Sequence, residues 1–246
     1  MADQAFDHSR REFLWAGAAA LLAASAPGRA IAQTAASKPK IGVIGVGNIG
    51  STIGGLWVKA GYEVFFSSRH PEELKPLTDR LGPLAKAGTV GEALDFGSVI
   101  LIAVPYKAIP ELAKDYGPKF AGKIVVDPAN AVARRDGEEL LKETKEKGIG
   151  NTTESYLKGS HVVRAFNSMS YTNFVKEAHR AGDRMAIPIA GDDARAVQIA
   201  SQLVRDAGFE PVAVPLARAQ EFAQGGPIYG QQLTAKELRE RFGLTK

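Results

Sequence analysis

Short apolar runs alternate with polar segments of helical period along most of this chain, beginning near residue 40. Two of the runs, at residues 98–104 and 123–126, are continuously apolar after their first residue, which is typical of parallel strands buried on both faces. Further strands are predicted at residues 40–44, 62–66, 161–166 and 209–214, with another apolar segment at 185–190. Helices are predicted at residues 51–61, 108–114, 138–147 and 193–206, and one more begins at Pro71. The alternation predicts an α/β fold with a doubly wound, mainly parallel sheet and a small C-terminal strand-helix extension.

The first strand runs directly into a glycine motif, Gly45-Val46-Gly47-Asn48-Ile49-Gly50, which opens the first helix. A G-x-G-x-x-G segment between a strand and a helix is the context of a dinucleotide-binding loop in a Rossmann-type fold. Gly45 permits the tight turn, Gly47 lets a pyrophosphate approach the backbone, and Gly50 allows close helix packing. The start of the helix that follows presents free N–H groups to phosphate, and Asn48 and Ile49 of the motif are also predicted to bind the cofactor. The alternative is a glycine-rich turn that holds no ligand.

The second strand is followed by Ser67, Ser68 and Arg69. An NAD-binding protein would place an acidic residue here, about 20 residues beyond the glycines, to bind the ribose 2′-hydroxyl. Two hydroxyls and a guanidinium suit a 2′-phosphate instead, since arginine forms charge-assisted hydrogen bonds to phosphate. The segment therefore predicts NADP(H) rather than NAD(H). The alternative is a surface arginine that closes a strand.

Three more strand ends carry candidate binding residues. These are Val104 with Pro105, Ala129 with Asn130, and the segment Phe166, Asn167 and Ser168. Ligands of open α/β sheets bind at the carboxyl ends of the strands, so these segments are candidate walls of one crevice. Each also has a structural alternative, because prolines punctuate turns and asparagines tie down loops.

Composition narrows the class of protein. The 246 residues are 45% hydrophobic and carry a net charge of +4 without a long basic run, which favours a globular protein that does not bind nucleic acid. The absence of cysteine excludes disulfides, thiolate metal sites, cysteine nucleophiles and a lipoprotein anchor. No two histidines have the spacing of metal ligands on a helix, so no metal site is predicted.

The first 32 residues have the pattern of a twin-arginine signal peptide. Arg10 and Arg11 precede an apolar run that is too short for the ~20 residues of a membrane span. Ala30-Ile31-Ala32 then gives a small-x-small cleavage site. The pattern predicts an exported or periplasmic protein, cleaved after Ala32 and carried by the twin-arginine translocase; an amphipathic N-terminal helix is the alternative. Residues 39–246 are predicted to form one NADP-binding domain, with a core at 39–165 and an extension at 166–246 that covers the cleft.

The chain resembles the NADP oxidoreductase, coenzyme F420-dependent family from about residue 40 to residue 222. The resemblance rests on the glycine motif, on S-S-R, L-I-A-V-P-Y and K-I-V-V-D-P-A-N, and on V-R-A-F-N-S and I-A-G-D-D. It implies hydride transfer between NADPH and a deazaflavin. It also implies that Ser68 and Arg69 hold the 2′-phosphate, that residues 104–105 and 129–130 hold the nicotinamide half, and that the second substrate stacks near residues 166–168.

Hydride transfer between two stacked rings needs orientation more than acid–base groups, so no catalytic side chain is predicted. The leading hypothesis is a reductase that passes hydride from NADPH to a small flavin-like or quinone-like acceptor, with coenzyme F420 first. A second is an exported enzyme that keeps NADP permanently bound, and a third is a sensor that binds NADP without turnover. A homodimer through the C-terminal helices is compatible with all three.

Overall fold

The computed structural model of this protein describes residues 38–244. The predicted signal peptide at residues 1–32, with Arg10, Arg11 and the cleavage site after Ala32, lies outside the described residues. Within residues 38–244, no helix is both long enough and apolar enough to cross a membrane.

Eight strands form one sheet in the order β3-β2-β1-β4-β5-β6-β7-β8. Their bounds are β1 Ile41–Ile44, β2 Val64–Ser67, β3 Ala85–Gly88, β4 Val99–Ile102, β5 Ile124–Asp127, β6 His161–Arg164, β7 Ala186–Ala190 and β8 Glu210–Val214. All neighbours pair in parallel except β6 and β7, which meet in an antiparallel pair at Arg164 and Ala190. The predicted α/β fold with a doubly wound, mainly parallel sheet is confirmed.

The helices connect the strands and cover both faces of the sheet. They are α1 Asn48–Lys59, α2 Lys75–Leu81, α3 Val90–Phe96, α4 Ile109–Phe120, α5 Ala133–Asp136, α6 Glu138–Lys147, α7 Ile149–Tyr156, α8 Tyr171–Glu177, α9 Ala194–Asp206 and α10 Ala235–Arg241. Short 3-10 helices occupy Pro71–Leu74, Tyr106–Ala108 and Leu216–Phe222. Helix α6 has the predicted bounds, whereas α4 continues six residues beyond the predicted end at residue 114.

The central strands are buried on both sides, as their unbroken apolar runs require. Alternate residues of each strand enter opposite layers of core. Val99 and Leu101 of β4 pack into one apolar cluster. Their neighbours Ile100 and Ile102 pack into a second cluster. Strands β1 to β6 run parallel, so their carboxyl ends lie at one edge of the sheet.

The C-terminal extension was predicted to cover the cleft, but its two strands belong to the sheet instead. Strands β7 and β8 lengthen the sheet beyond β6. The chain then returns to the cleft after Leu216–Phe222. There the Gln224 N–H donates to Asn130 Oδ1 (3.3 Å), and the Gly230 N–H donates to the Ser168 carbonyl (2.7 Å). The cover over the cleft thus comes from the loop at residues 224–230.

A buried ion pair joins the ends of β5 and β6. Asp127 and Arg164 are partners in the strand register, and both are fully buried. The Arg164 guanidinium donates to the Asp127 carboxylate and to the Ala129 carbonyl. The same carboxylate accepts hydrogen bonds from the Ala129 N–H and the Thr153 hydroxyl, each at 2.8 Å. Charge-assisted hydrogen bonds from this buried pair therefore hold the loop that follows β5 in place.

The network continues to Tyr106, whose hydroxyl lies 3.0 Å from the Thr153 hydroxyl. Burial, followed by the nearby charge of Asp127, raises the pKa of Tyr106 well above its ordinary value. Tyr106 therefore stays protonated at every pH at which the protein would be assayed, and it remains a hydrogen-bond donor to this network.

Replacing one member of the ion pair tests its contribution. Arg164→Met leaves the Asp127 carboxylate buried without its countercharge, so we expect the free energy of unfolding to fall by about 3–5 kcal/mol. The double variant Asp127→Asn/Arg164→Met removes both charges and should lose markedly less. Urea unfolding followed by circular dichroism measures both values. Equal losses in the two variants would show that packing, and not the unpaired charge, accounts for the effect.

Candidate functional site

A cleft of about 430 Å³ lies at the carboxyl edge of the sheet. It is bounded by the segments that follow β1, β4, β5 and β6 and by the loop at residues 224–230. It brings together nine of the residues predicted from sequence. These are Gly47, Asn48, Ile49, Val104, Pro105, Ala129, Asn130, Phe166 and Asn167. The position is the one at which open α/β sheets bind their ligands.

The three glycines of the motif have three different surroundings. Gly45 has φ +91°, a left-handed conformation that favours glycine, and a Cβ there would press against the Ala103 carbonyl. A Cβ at Gly50 would collide with the Gly45 carbonyl. A Cβ at Gly47 would meet nothing within 4 Å. Two of the glycines are therefore required by the fold itself, and the third faces open space in the cleft.

The start of α1 is suited to an anion. Gly47 is the N-cap and has no side chain to bond the first N–H groups, and no acidic residue occupies the first turn. Asn48 and Ile49, the first two residues of the helix, line the cleft. The unpaired N–H groups and the positive end of the helix dipole favour phosphate at this point.

Ser67, Ser68 and Arg69, at the end of β2 and just after it, differ in their contacts. The Ser67 hydroxyl is fully buried and donates to the Val43 carbonyl (2.9 Å), so it is not free to donate to a phosphate, and its predicted contact is corrected. The Ser68 hydroxyl accepts from the His70 N–H (3.1 Å) and keeps its own proton for another partner. Arg69 is exposed, and within residues 38–244 its guanidinium has no hydrogen bond or ion pair. Ser68 and Arg69 do not line the cleft; they directly follow β2, the strand that pairs with β1.

Asn130 joins three segments around the cleft. Its Nδ2 donates to the Asn167 carbonyl (2.7 Å), and its Oδ1 accepts from the Gln224 N–H (3.3 Å). The Asn167 Nδ2 lies 3.4 Å from the same Oδ1. Asn130 therefore lines the cleft and ties its loops together.

Phe166 leaves β6 in an unusual conformation. Its φ is +60°, and its ring is buried against Trp57 and Phe174 with centroid distances of 6.0 and 5.6 Å. The ring belongs to the core, although Phe166 also borders the cleft. Ser168 is buried and does not line the cleft. Of the three predicted substrate residues, Asn167 is the one whose polar side chain borders the cleft.

Several lining residues were not predicted. They are Ala103, Pro128, Arg135, Met169, Ser170, Tyr171, Gln224 and Tyr229. The Arg135 guanidinium donates to the Asn130 carbonyl and to Asp136. Burial would raise the pKa of Asp136, but hydrogen bonds from Arg135 and from the backbone of Val132 and Lys107 hold it below its ordinary value. The charged triplet at residues 134–136 was visible in sequence, whereas Gln224 and Tyr229 reach the cleft from a distant segment that no local pattern indicates.

One group of potential metal ligands occurs among the described residues. His70, Glu72 and Glu73 place one ligand atom each within 4.8 Å of the others. All three side chains are exposed, and none lines the cleft. The arrangement is that of polar residues at the start of a surface 3-10 helix.

A protein family and several known proteins are similar to this chain. The family model described as NADP oxidoreductase coenzyme F420-dependent matches residues 40–131, which include the glycine motif, Arg69 and the loop after β5. Metalloreductase STEAP3 of Rattus norvegicus is 29% identical over 195 residues, or 78% of this chain. The chain covers 37% of the length of that rat protein.

Two solved structures share the fold. A hypothetical protein from Sinorhizobium meliloti is 25% identical with a TM-score of 0.71, over 80% of this chain and 95% of that one. A candidate F420-dependent NADP reductase from Arthrobacter sp. FB24 is 22% identical with a TM-score of 0.65, over 83% of this chain and 95% of that one. Together with the family match, these similarities support an NAD(P)-dependent oxidoreductase with a Rossmann-type fold.

Alanine at two of the glycines separates fold from ligand binding. Gly47→Ala adds a methyl group in open space, so we expect a loss of only about 1 kcal/mol in the free energy of unfolding. NADP⁺ affinity should nevertheless fall at least about tenfold, because the methyl group occupies the approach of the pyrophosphate. Gly50→Ala should lower the free energy of unfolding by about 3 kcal/mol through its collision with backbone. Urea unfolding and calorimetric titration test this, and unchanged NADP⁺ affinity in Gly47→Ala would contradict the assignment.

Proposed function

We propose that this chain binds NADP(H) and transfers hydride between NADPH and a small flavin-like acceptor, of which the deazaflavin coenzyme F420 is the first candidate. The observation that carries the proposal is Gly47, whose missing side chain leaves open space between the start of α1 and the cleft. The packing of the fold requires glycine at positions 45 and 50 but not at position 47. A phosphate that contacts the backbone requires glycine at position 47 as well.

The preference for NADP(H) rests on charge at the end of β2. No acidic residue stands where a 2′-hydroxyl would be bound, and Ser68 and Arg69 can both donate to a 2′-phosphate. The guanidinium of Arg69 is exposed and makes no ion pair with any residue in the described part of the chain. Binding a phosphate would therefore not require an existing contact to break.

The residues that line the cleft support the proposed reaction class. Among the described residues, the lining has no aspartate, glutamate, histidine or lysine. A cleft of that kind is poorly suited to reactions that need a carboxylate or imidazole as general acid or base. The bound dinucleotide would supply the hydride. The chain's own residues would orient two rings and exclude water, and Tyr171 and Tyr229 provide aromatic surface for that purpose.

The acceptor is proposed from the family description and the Arthrobacter relative, whose names include coenzyme F420. The similarity to a metalloreductase favours a second candidate, a pathway that ends on a metal ion. Hydride carries two electrons, whereas a metal ion commonly accepts one. A flavin would have to stand between them, so a flavin-like ring is the first acceptor in both cases.

Replacing Arg69 tests the cofactor. In Arg69→Ala we expect NADPH affinity to fall roughly 10- to 100-fold, because charge-assisted hydrogen bonds to the 2′-phosphate are lost. NADH affinity should change less than about twofold. Fluorescence titration measures both, and Arg80→Ala is the matched control because Arg80 is an exposed arginine on α2, away from the cleft. An equal loss for NADPH and NADH would contradict the 2′-phosphate contact.

The reaction is tested by the oxidation of NADPH at 340 nm with coenzyme F420, FMN and a quinone. Turnover with F420 alone supports the first candidate. Turnover with FMN followed by metal reduction supports the second. NADP that survives purification and dialysis would favour a permanently bound cofactor, and tight NADPH binding without turnover on any acceptor would favour a sensor.

We also propose that the protein is exported by the twin-arginine route, from the sequence at residues 1–32. Replacing Arg10 and Arg11 together by lysine should retain the precursor in the cytoplasm, whereas Arg29→Lys in the same segment should not. Cell fractionation checks the location, and mass spectrometry of the exported protein should find Gln33 at its N-terminus. Export of the double variant at the normal level would contradict the signal.

A further inference from the structure

Asn167 has a polar atom that the described part of the protein leaves unused. The residue is 2% exposed and lines the cleft, and its Oδ1 is buried without a hydrogen-bond partner. A buried oxygen without a partner is costly, and native structures usually supply one. Because Asn167 lines the cleft, a molecule bound there is the candidate source of the missing donor.

The orientation of the Asn167 amide is fixed by two backbone groups. Asn130 Oδ1 accepts from the Gln224 backbone N–H, and Asn130 Nδ2 donates to the Asn167 backbone carbonyl. Backbone groups cannot exchange donor and acceptor roles, so the Asn130 amide has one orientation. The Asn167 atom beside Asn130 Oδ1 must then be the donor Nδ2. The free atom of Asn167 is therefore an oxygen, which can only accept.

We propose that Asn167 Oδ1 accepts a hydrogen bond from an amide or imide N–H that belongs to a planar ring system bound in the cleft. Asn167 is then a specificity-determining residue. This inference rests on the proposed function. Two ligands carry such a group: the nicotinamide, through its carboxamide, and a flavin-like acceptor, through its ring imide. A quinone offers only oxygen acceptors at its ring and would leave Asn167 Oδ1 unsatisfied.

Two neighbouring atoms provide the comparison. Ser168 Oγ and Arg164 Nε are also buried without partners, but neither residue lines the cleft. Ser168 adjoins Asn167 in the chain and has a similar burial. Ser168→Ala is therefore a control that removes a buried, unpaired polar atom without altering the cleft lining.

The test pairs variants with ligands that lack one N–H group. The 3-acetylpyridine analogue of NADP⁺ replaces the carboxamide NH₂ by a methyl group, and 3-methyllumiflavin blocks the imide N–H of lumiflavin. Calorimetric titration gives the affinity of each wild-type and variant protein for each ligand pair. The ratio within a pair cancels any general loss of affinity. Asn167→Ala is the main variant, and Asn167→Leu, which preserves volume, replaces it if the alanine protein does not fold.

In the wild type, one pair should differ about tenfold in affinity, as expected for leaving a buried acceptor unpaired. The ratio should fall to about one in Asn167→Ala and stay near tenfold in Ser168→Ala. Discrimination in the first pair assigns the donor to nicotinamide, and discrimination in the second assigns it to the acceptor ring. Ratios that are the same in the wild type and Asn167→Ala for both pairs would overturn the assignment and leave an internal water as the partner. A wild type that does not bind NADP⁺ at all would overturn the proposed function and this assignment with it.

Discussion

The cleft depends on the ion pair between Asp127 and Arg164. These side chains lie next to each other where β5 and β6 end, and both are removed from solvent. Burying two charges is unfavourable unless hydrogen bonds satisfy them, and here the bonds go to the loop that follows β5. The hydrogen bonds that offset the cost of burying the pair are therefore the same bonds that hold Ala129 in place next to Asn130. Fold and site share one set of contacts.

The cleft has two halves that are built differently. On the side of β1, backbone dominates, because a glycine turn and a helix terminus present N–H groups with no side chain in front of them. On the side of β5 and β6, side chains dominate, because the Asn130 amide bonds both the Asn167 carbonyl and the Gln224 N–H of the loop at residues 224–230. The first half suits the phosphates of a dinucleotide, which are alike in many proteins. The second half can change from protein to protein, and it is where a choice between acceptors would be made.

Sequence reasoning succeeded where local chemistry has one solution. The runs around Leu101 and Val125 are apolar because both faces of their strands are buried. A continuous apolar run of this kind can be recognised in the sequence without tertiary information. It missed β3, whose Ala-Lys-Ala-Gly sequence is a weak strand held at the edge by pairing with β2. It also missed α3, although Thr89 and Glu92 form a capping box that the sequence displays. Tyr229 could not be found, since only the tertiary fold brings it to the cleft.

Phe166 links the side of the cleft at β5 and β6 to the core. A non-glycine residue at φ +60° carries a conformational cost of about 1 kcal/mol or more. Packing of its ring among Trp57, Phe174 and Phe209 offsets that cost. The turn at Phe166 directs the ring inward and places Asn167 at the cleft, so the aromatic cluster determines where that amide lies. The place of the Asn167 amide is accordingly set in part by Trp57, Phe174 and Phe209, which do not line the cleft themselves.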